Sequence, residues 1–197
     1  MSPRQRVAVA AAATVVVASL AVGLLQSTPP PSPDASAPSL AQARAEIRGA
    51  PGPLRTLYER SNVLLPEAAF GQLVAGLRGY PVVINVWASY CGPCRREFAL
   101  LRRSAARYGT RVAFIGVDAD ATTGPGREFL RRNPTLYPHV RDPKGRLANR
   151  LSAGVVLPST VILDSHGQIA TVFAGAYPGS RRLADDLARY AGVADDR

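Results

Sequence analysis

The chain has 197 residues, 47% of them hydrophobic and 19% charged, which suffices for one globular domain with a core and additional terminal segments. The formal net charge of +10 is the difference between 24 basic and 14 acidic residues, and Lys144 is the single lysine among the basic ones. The arginines are spread over the whole chain, and no basic stripe is interleaved with aromatic residues. This distribution argues against nucleic-acid binding, in spite of the charge.

An uncharged apolar segment, residues 7–25, follows a short basic N-terminus, residues 1–6. A helix of roughly 19 residues is about 28 Å long, close to the hydrocarbon thickness of a bilayer. Basic residues precede the segment and the next one is Arg44, so the pattern predicts a single-pass signal anchor with a cytoplasmic N-terminus. A cleaved signal peptide is the alternative, because Ala35-Ser36-Ala37 is a stretch of small residues.

Residues 26–45 form the next predicted segment, a linker whose first part is rich in Pro, Ser and Ala. Such a composition buries little apolar area and favours an extended chain. The linker would hold the remaining domain, residues 46–197, away from the membrane on its extracytoplasmic side.

Beyond the first part of the linker, helical and strand patterns alternate. The predicted helices cover, in chain order, residues 41–60 with a break near 49–53, 66–79, the stretch from the cysteine pair to 109, 125–132, 144–151 and the region of 183–190. The predicted strands cover residues 81–87, 111–118, 159–164 and 168–175, the last two as a hairpin. Residues 81–87 are so apolar that they indicate a central strand, buried on both faces. The alternation predicts an α/β sandwich with a mixed sheet.

Both cysteines of the chain, Cys91 and Cys94, follow that central strand directly. A disulfide that closes so small a loop removes little entropy from the unfolded chain, so a structural staple explains the pair poorly. A zinc site would need further soft ligands, and the candidates are His139, interpreted as a partly buried loop residue, and His166, in a hairpin turn. Both histidines are separated from the cysteines by a whole βα unit, so we expect no metal site, and nothing in the sequence points to a cofactor.

A redox role explains both the position and the spacing of the pair. A cysteine at the start of a helix meets free backbone N–H groups and the positive end of the helix dipole, which stabilise a thiolate. Cys91 is thus the expected nucleophile and Cys94, one turn later, the resolving thiol. Gly92 leaves the approach to Cys91 open, and Pro93 fits the first helical turn.

The stretch "RGYPVVINVWASYCGPCRREF" resembles the thioredoxin superfamily, and within it the membrane-anchored TlpA/ResA/CcmG-like thiol-disulfide oxidoreductases. The likeness extends over about residues 64–190 and includes "GVVLPSTVILDSHGQI" near the C-terminus. It implies a thioredoxin-like three-layer sandwich with a central mixed β-sheet, following the N-terminal transmembrane helix.

The resemblance also implies a substrate-binding surface beside the cysteines. Pro158 would be the family's cis-proline, and the exposed backbone of Leu157 would pair with an extended substrate segment. Trp87, Gly92 and Pro93 complete the residues expected at this surface.

Two further positions follow from the same likeness. Asn85 stands where thioredoxins commonly carry a buried Asp, and an amide cannot transfer protons as that carboxyl does. Glu97, three residues after Cys94, matches a ResA-like glutamate that sits near the pair and can act as an acid or base. A solvated helix glutamate paired with nearby arginines is the alternative for Glu97. Ala99 departs from the pattern, because the branch often has a proline there.

The resulting hypothesis is an extracytoplasmic enzyme that reduces disulfides of exported proteins, apocytochrome c among them, with electrons from a membrane thiol-disulfide partner. Oxidation of exported thiols by the same residues is one alternative. A thiol peroxidase and a non-enzymatic copper or protein binding module on the same fold are others.

Overall fold

The structure, a computed structural model, describes residues 39–195. Its strands are β1 (Leu64–Leu65), β2 (Val82–Trp87), β3 (Ala113–Asp118), β4 (His139–Arg141), β5 (Ser159–Leu163) and β6 (Ile169–Ala174). The helices of this part of the chain are α1 (Leu40–Ile47), α2 (Gly52–Tyr58), α3 (Ala69–Ala75), α4 (Gly92–Tyr108), α5 (Thr123–Arg132), α6 (Arg146–Arg150) and α7 (Ser180–Ala191). The predicted α/β fold with a mixed sheet is confirmed.

The strand β2 lies inside the sheet, whose order is β1-β4-β3-β2-β5-β6. All six of its residues are buried. Successive side chains of a strand point to opposite faces, so the sheet is covered on both faces at β2. The predicted central strand over residues 81–87 is therefore confirmed.

The strand direction changes at β2, which runs parallel to β3 and antiparallel to β5. Val86, one residue before the end of β2, pairs with Ser159, the first residue of β5. The segment after β2 and the segment before β5 therefore lie at the same edge of the sheet. This arrangement brings Cys91 and Pro158 into one region although they are far apart in the sequence.

The helix α4 leaves this edge and packs on the core through the face that the sequence predicts. Its residues Phe98, Leu101, Ala105 and Tyr108 are all buried, as expected for an apolar stripe on one helical face. The helix ends at Tyr108, in agreement with the predicted stop.

The first described helix, α1, begins with a capping box at Ser39, whose side chain accepts from the N–H of Gln42 at 3.2 Å. Ala43 and Ile47 of α1 lie in the main hydrophobic core. The predicted boundary between linker and domain, at residues 45 and 46, falls inside this helix.

The predicted membrane anchor, residues 7–25, and the first part of the predicted linker lie outside the described residues. Within residues 39–195, every helix is too short or too polar to cross a membrane.

Two short strands, β1 and β4, are not predicted from the sequence. They contain two and three residues, respectively, too few for an alternating pattern to emerge. β4 pairs with β3 and places His139 opposite Gly116. The interpretation of His139 as a partly buried loop residue is wrong, because its side chain is fully buried in β4.

Candidate active site

The cysteine pair lies where β2 gives way to α4. The turn Ala88–Cys91 is closed by the N–H of Cys91, which donates to the carbonyl oxygen of Ala88 at 3.1 Å. Cys91 is the N-cap of α4 and forms a disulfide with Cys94, with a Cα–Cα distance of 5.3 Å. Cys91 is 8% exposed and Cys94 is 0% exposed. Only the first sulfur of the pair is therefore open to attack by a partner from solvent.

The start of α4 offers a hydrogen-bond donor to the sulfur of Cys91. The N–H of Cys94 donates to Sγ of Cys91 at 3.1 Å. Pro93 has no N–H group, so its position adds no unpaired donor to the first turn of α4. In the reduced protein, the same N–H and the positive end of the helix dipole would stabilise a Cys91 thiolate.

The surface next to Cys91 carries both apolar and basic side chains, because Arg95 and Arg96 are exposed in the first turns of α4. Tyr90, next to Cys91, is 73% exposed, and Val155, in the loop before β5, is 94% exposed. The peptide bond between Leu157 and Pro158 is cis, as the resemblance implies. Leu157 is partly buried and packs against the hydrophobic cluster that contains both cysteines.

Gly92 and Pro93 are exposed beside Cys91, whereas the side chain of Trp87 is fully buried. The indole of Trp87 contacts the rings of Phe98 and Phe129, with ring centroids 5.0 and 5.2 Å away. Any effect of Trp87 on a bound substrate would therefore be indirect, through the packing beneath the cysteines.

A buried chain of hydrogen bonds begins at Trp87. Its Nε1–H donates to Nδ1 of His139 at 3.1 Å, and Nε2 of His139 lies 2.9 Å from Oγ1 of Thr135. The hydroxyl of Thr135 donates to the carbonyl oxygen of Tyr137 at 2.8 Å, so it can accept from Nε2–H of a neutral imidazole. Burial lowers the pKa of His139 to about 3, in agreement with a neutral ring.

Glu97 lies on the buried side of α4, and the alternative of a solvated glutamate is wrong. The carboxylate is 3% exposed and each of its oxygens accepts one hydrogen bond. The N–H of Tyr177 donates to Oε1 at 2.7 Å, and Nδ2 of Asn85 donates to Oε2 at 3.0 Å. Burial raises the pKa of Glu97, although these two hydrogen bonds act in the opposite direction.

Asn85 joins this carboxylate to the strand that follows Pro158. Its Nδ2 also donates to Oγ1 of Thr160 at 3.2 Å. The sequence does not predict that Thr160 contacts Asn85 or that Tyr177 contacts Glu97, because both contacts join distant segments of the chain.

Asp118 and Asp120, at the carboxyl end of β3, form a second buried group of carboxylates. Asp120 accepts hydrogen bonds from Ser89, in the turn before Cys91. The sequence does contain a signal for this group, because Asp118 ends the apolar run of β3 and Asp120 follows two residues later. Among residues 39–195, no group of three or more His, Cys, Asp and Glu side chains is arranged to hold a metal ion.

The sheet topology, the disulfide at a helix N-terminus and the adjacent cis-proline together define a thioredoxin-like thiol-disulfide oxidoreductase. Comparison with known proteins agrees with this class. The chain belongs to the AhpC/TSA family, whose model matches residues 68–172.

Relatives and solved structures are more specific. The chain is 31% identical to the thiol:disulfide interchange protein DsbE of Pasteurella multocida over 163 residues, which cover 82% of this chain and 81% of that protein. It is 26% identical to the thiol-disulfide oxidoreductase ResA of Bacillus cereus over 100 residues. That match covers 50% of this chain and 57% of ResA, so the chain spans little more than half of this relative.

A crystal structure of a Chlorobium tepidum protein designated thiol:disulfide interchange protein DsbE has the same fold, with a TM-score of 0.55 and 28% identity. The superposition covers 59% of this chain and 84% of that one. The chain is therefore a thiol-disulfide oxidoreductase of the DsbE/ResA type.

Proposed function

We propose that this oxidoreductase reduces disulfides of exported proteins on the extracytoplasmic side of a membrane, with apocytochrome c among its substrates. The hydrogen bond from the N–H of Cys94 to Sγ of Cys91 supports the exchange chemistry itself, because a donor in this place stabilises the thiolate that must attack. The apolar segment over residues 7–25 supports a membrane anchor with the domain outside.

The reaction begins with the reduced enzyme. The Cys91 thiolate attacks one sulfur of a substrate disulfide, and the other substrate sulfur leaves as a thiolate and takes up a proton. A mixed disulfide now joins Cys91 to the substrate. Cys94 then loses its proton and attacks Sγ of Cys91, which releases the second substrate sulfur and leaves the Cys91–Cys94 disulfide. Two electrons from a membrane dithiol partner would restore the reduced enzyme.

The substrate would lie over the surface beside Cys91. Leu157 precedes the cis bond at Pro158, and its backbone is the group we expect to pair with an extended substrate segment. Tyr90, next to Cys91 in the chain, is exposed and would contact an apolar side chain near the substrate cysteine.

Glu97 is the group that we assign to proton transfer with Cys94. The two residues lie three positions apart on α4 and are both buried, so they share one face of the helix. A raised pKa keeps a carboxyl group closer to the range in which it can take and return a proton.

The decisive experiment uses the full-length chain with Cys94→Ser, which can form the mixed disulfide but cannot resolve it. We expect this variant to accumulate covalent adducts with exported proteins, identified by mass spectrometry, and the Cys91→Ser variant to form none. A Cys94→Ser variant that traps no protein would refute the assignment and favour a binding module.

The direction of electron flow needs a separate measurement, because oxidation of exported thiols uses the same residues. We expect a reduction potential near that of thioredoxin, about −270 mV. A potential near −120 mV would instead identify an oxidant of exported thiols.

A further inference from the structure

The turn Ala88–Cys91 is held in place on its buried side by Asp120, which takes no part in the exchange chemistry. On one side of the turn, Tyr90 is exposed to solvent. On the other side, the backbone N–H and the hydroxyl of Ser89 both point to the carboxylate of Asp120. Asp120 itself is 2% exposed.

The contact between Ser89 and Asp120 consists of several hydrogen bonds. The N–H of Ser89 lies 3.1 Å from Oδ2 and 3.3 Å from Oδ1 of Asp120, and the Ser89 hydroxyl donates to Oδ1 at 3.0 Å. Hydrogen bonds to a carboxylate are stronger than those between neutral groups. Since only Tyr90 stands between Ser89 and the nucleophile, the anchor fixes the backbone just before Cys91.

Asp120 is in turn held by residues of two strands, β3 and β4. Its N–H donates to Oδ1 of Asp118 at 3.0 Å, and Nη2 of Arg141, in β4, donates to its carbonyl oxygen at 2.9 Å. The Asp118 carboxylate packs so closely on α5 that a methyl group built on Gly126 would overlap its Oδ2. The anchor of the turn therefore has little freedom to move.

We propose that Asp120 is a positioning residue for Cys91: it holds Ser89 so that Sγ of Cys91 stays in line with the N–H of Cys94 at the start of α4. This inference rests on the proposed function of the same site. It concerns the nucleophile only, and so it applies whichever protein disulfide is the substrate.

Two charged side chains lie beside Asp120 and would influence any pH profile. They are Asp118 and Arg141, described above. Burial raises the pKa of Asp118 to about 7, with a contribution from the negative charge of Asp120. The ionisation of Cys91 must therefore be followed directly, by the absorbance of its thiolate.

The test uses the full-length chain in a Cys94→Ser background, where Cys91 is the only thiol. We measure the Cys91 pKa and the rate of its attack on a small aromatic disulfide reagent. Asp120→Ala should raise the Cys91 pKa and slow the attack at pH 7 about tenfold, the equivalent of one pKa unit. Asp120→Asn keeps an oxygen for Ser89 and removes a negative charge, so its rate should stay within about twofold of the parent.

Asp164 provides a matched control in the β5–β6 turn. Its Oδ1 accepts from the N–H groups of His166 and Gln168, both at 2.9 Å, so it also anchors a turn through backbone donors. Asp164→Ala should leave the Cys91 pKa and the attack rate unchanged.

Two results would overturn the proposal. Equal changes for Asp120→Ala and Asp120→Asn would mean that only the charge of Asp120 matters. An unchanged Cys91 pKa and rate for Asp120→Ala, with a loss of thermal stability alone, would mean a purely structural role. If Asp120→Ala does not fold, Ser89→Ala serves instead: it removes the hydroxyl donor and should slow the attack about threefold, and an unchanged rate would contradict the proposal.

The small reagent also separates this inference from the proposed function. A parent chain that leaves protein disulfides intact would refute the function. The reactivity of Cys91 toward the reagent would still report the effect of Asp120.

Discussion

Two buried groups of carboxylates flank the cysteine pair, and they differ in how completely they are paired. The glutamate cluster consists of Glu97, Asn85, Thr160 and the N–H of Tyr177. In it, each carboxylate oxygen of Glu97 accepts a hydrogen bond from a buried donor.

The aspartate cluster consists of Asp118, Asp120, Ser89, Arg141 and Asp142. Several of its polar atoms have no hydrogen-bond partner among residues 39–195, namely Oδ2 of Asp118, Oδ1 of Asp142 and Nε of Arg141. Burying a charged group costs little when its hydrogen-bond partners are complete and much more when they are not. Removal of the Glu97 carboxylate should therefore destabilise the fold more than removal of the Asp118 carboxylate, whose Oδ2 has no partner among these residues.

The largest effect is expected in the glutamate cluster. Glu97→Ala leaves the N–H of Tyr177 and one N–H of Asn85 buried without an acceptor. Each unpaired donor costs roughly 1 to 3 kcal/mol, so we expect a loss of about 4 kcal/mol in the free energy of unfolding. Urea unfolding, followed by the fluorescence of the single tryptophan, Trp87, measures the loss.

Glu97→Gln is the matched control for this prediction. It keeps an oxygen for Tyr177, and the amide of Asn85 can rotate to accept from the new Nε2–H group. We expect a stability loss below about 2 kcal/mol, together with slower release of the mixed disulfide by Cys94. Equal losses for the Ala and Gln variants would contradict the importance of complete pairing.

An intermediate effect is expected where α5 meets the aspartate cluster. Gly126→Ala would force a methyl group against the Asp118 carboxylate, and overpacking of this kind costs about 1 to 3 kcal/mol. A methyl group on Gly124, in the same helix, would have no atom of the described residues within 4 Å. Gly124→Ala should therefore be neutral or stabilising, by up to about 1 kcal/mol. Calorimetry measures the melting temperatures of both variants, and equal values would contradict this prediction.

The most gradual effect, and the smallest for each pH unit, is a change in pH dependence. Asp118 has a pKa of about 7 in the fold against 3.8 as the ordinary value, so its contribution to stability is complete below about pH 4 and is lost as the pH rises to 7. Asp118→Asn has no such titration. The stability of this variant relative to the parent should improve by about 1 kcal/mol for each pH unit from pH 4 to pH 7.

The comparison of parent and variant cancels the titration of His139, which is common to both. Its pKa falls from 6.5 to about 3 in the fold, so it destabilises either protein as the pH falls through that range. Unfolding curves at several pH values would contradict the prediction if the difference between the two proteins did not depend on pH.

The sequence predicts the parts of the site that lie within single segments. The apolar run of β2, the stripe of α4 and the spacing of Cys91 and Cys94 are local patterns, and the structure confirms each as an element or a disulfide. The cis bond before Pro158 could be predicted only from the family resemblance, because an X–Pro bond is rarely cis.

The remaining parts of the site depend on pairing between distant segments. The contacts of Trp87 with His139 and of Glu97 with Tyr177 join positions 52 and 80 residues apart. Periodicity describes one segment at a time, so it cannot identify these partners. Likewise, a strand of three residues such as β4 is recognised only once β3 lies beside it.

The pairing of Gly116 with His139 has a consequence for the evolution of this chain. A methyl group on Gly116 would overlap the imidazole of His139, the ring that accepts the N–H of Trp87. A lineage could therefore acquire the histidine only after position 116 had become glycine, and it could lose the glycine only after the histidine. Among homologues, positions 116 and 139 should covary. A homologue with a residue larger than glycine at position 116 should carry a residue smaller than histidine at position 139.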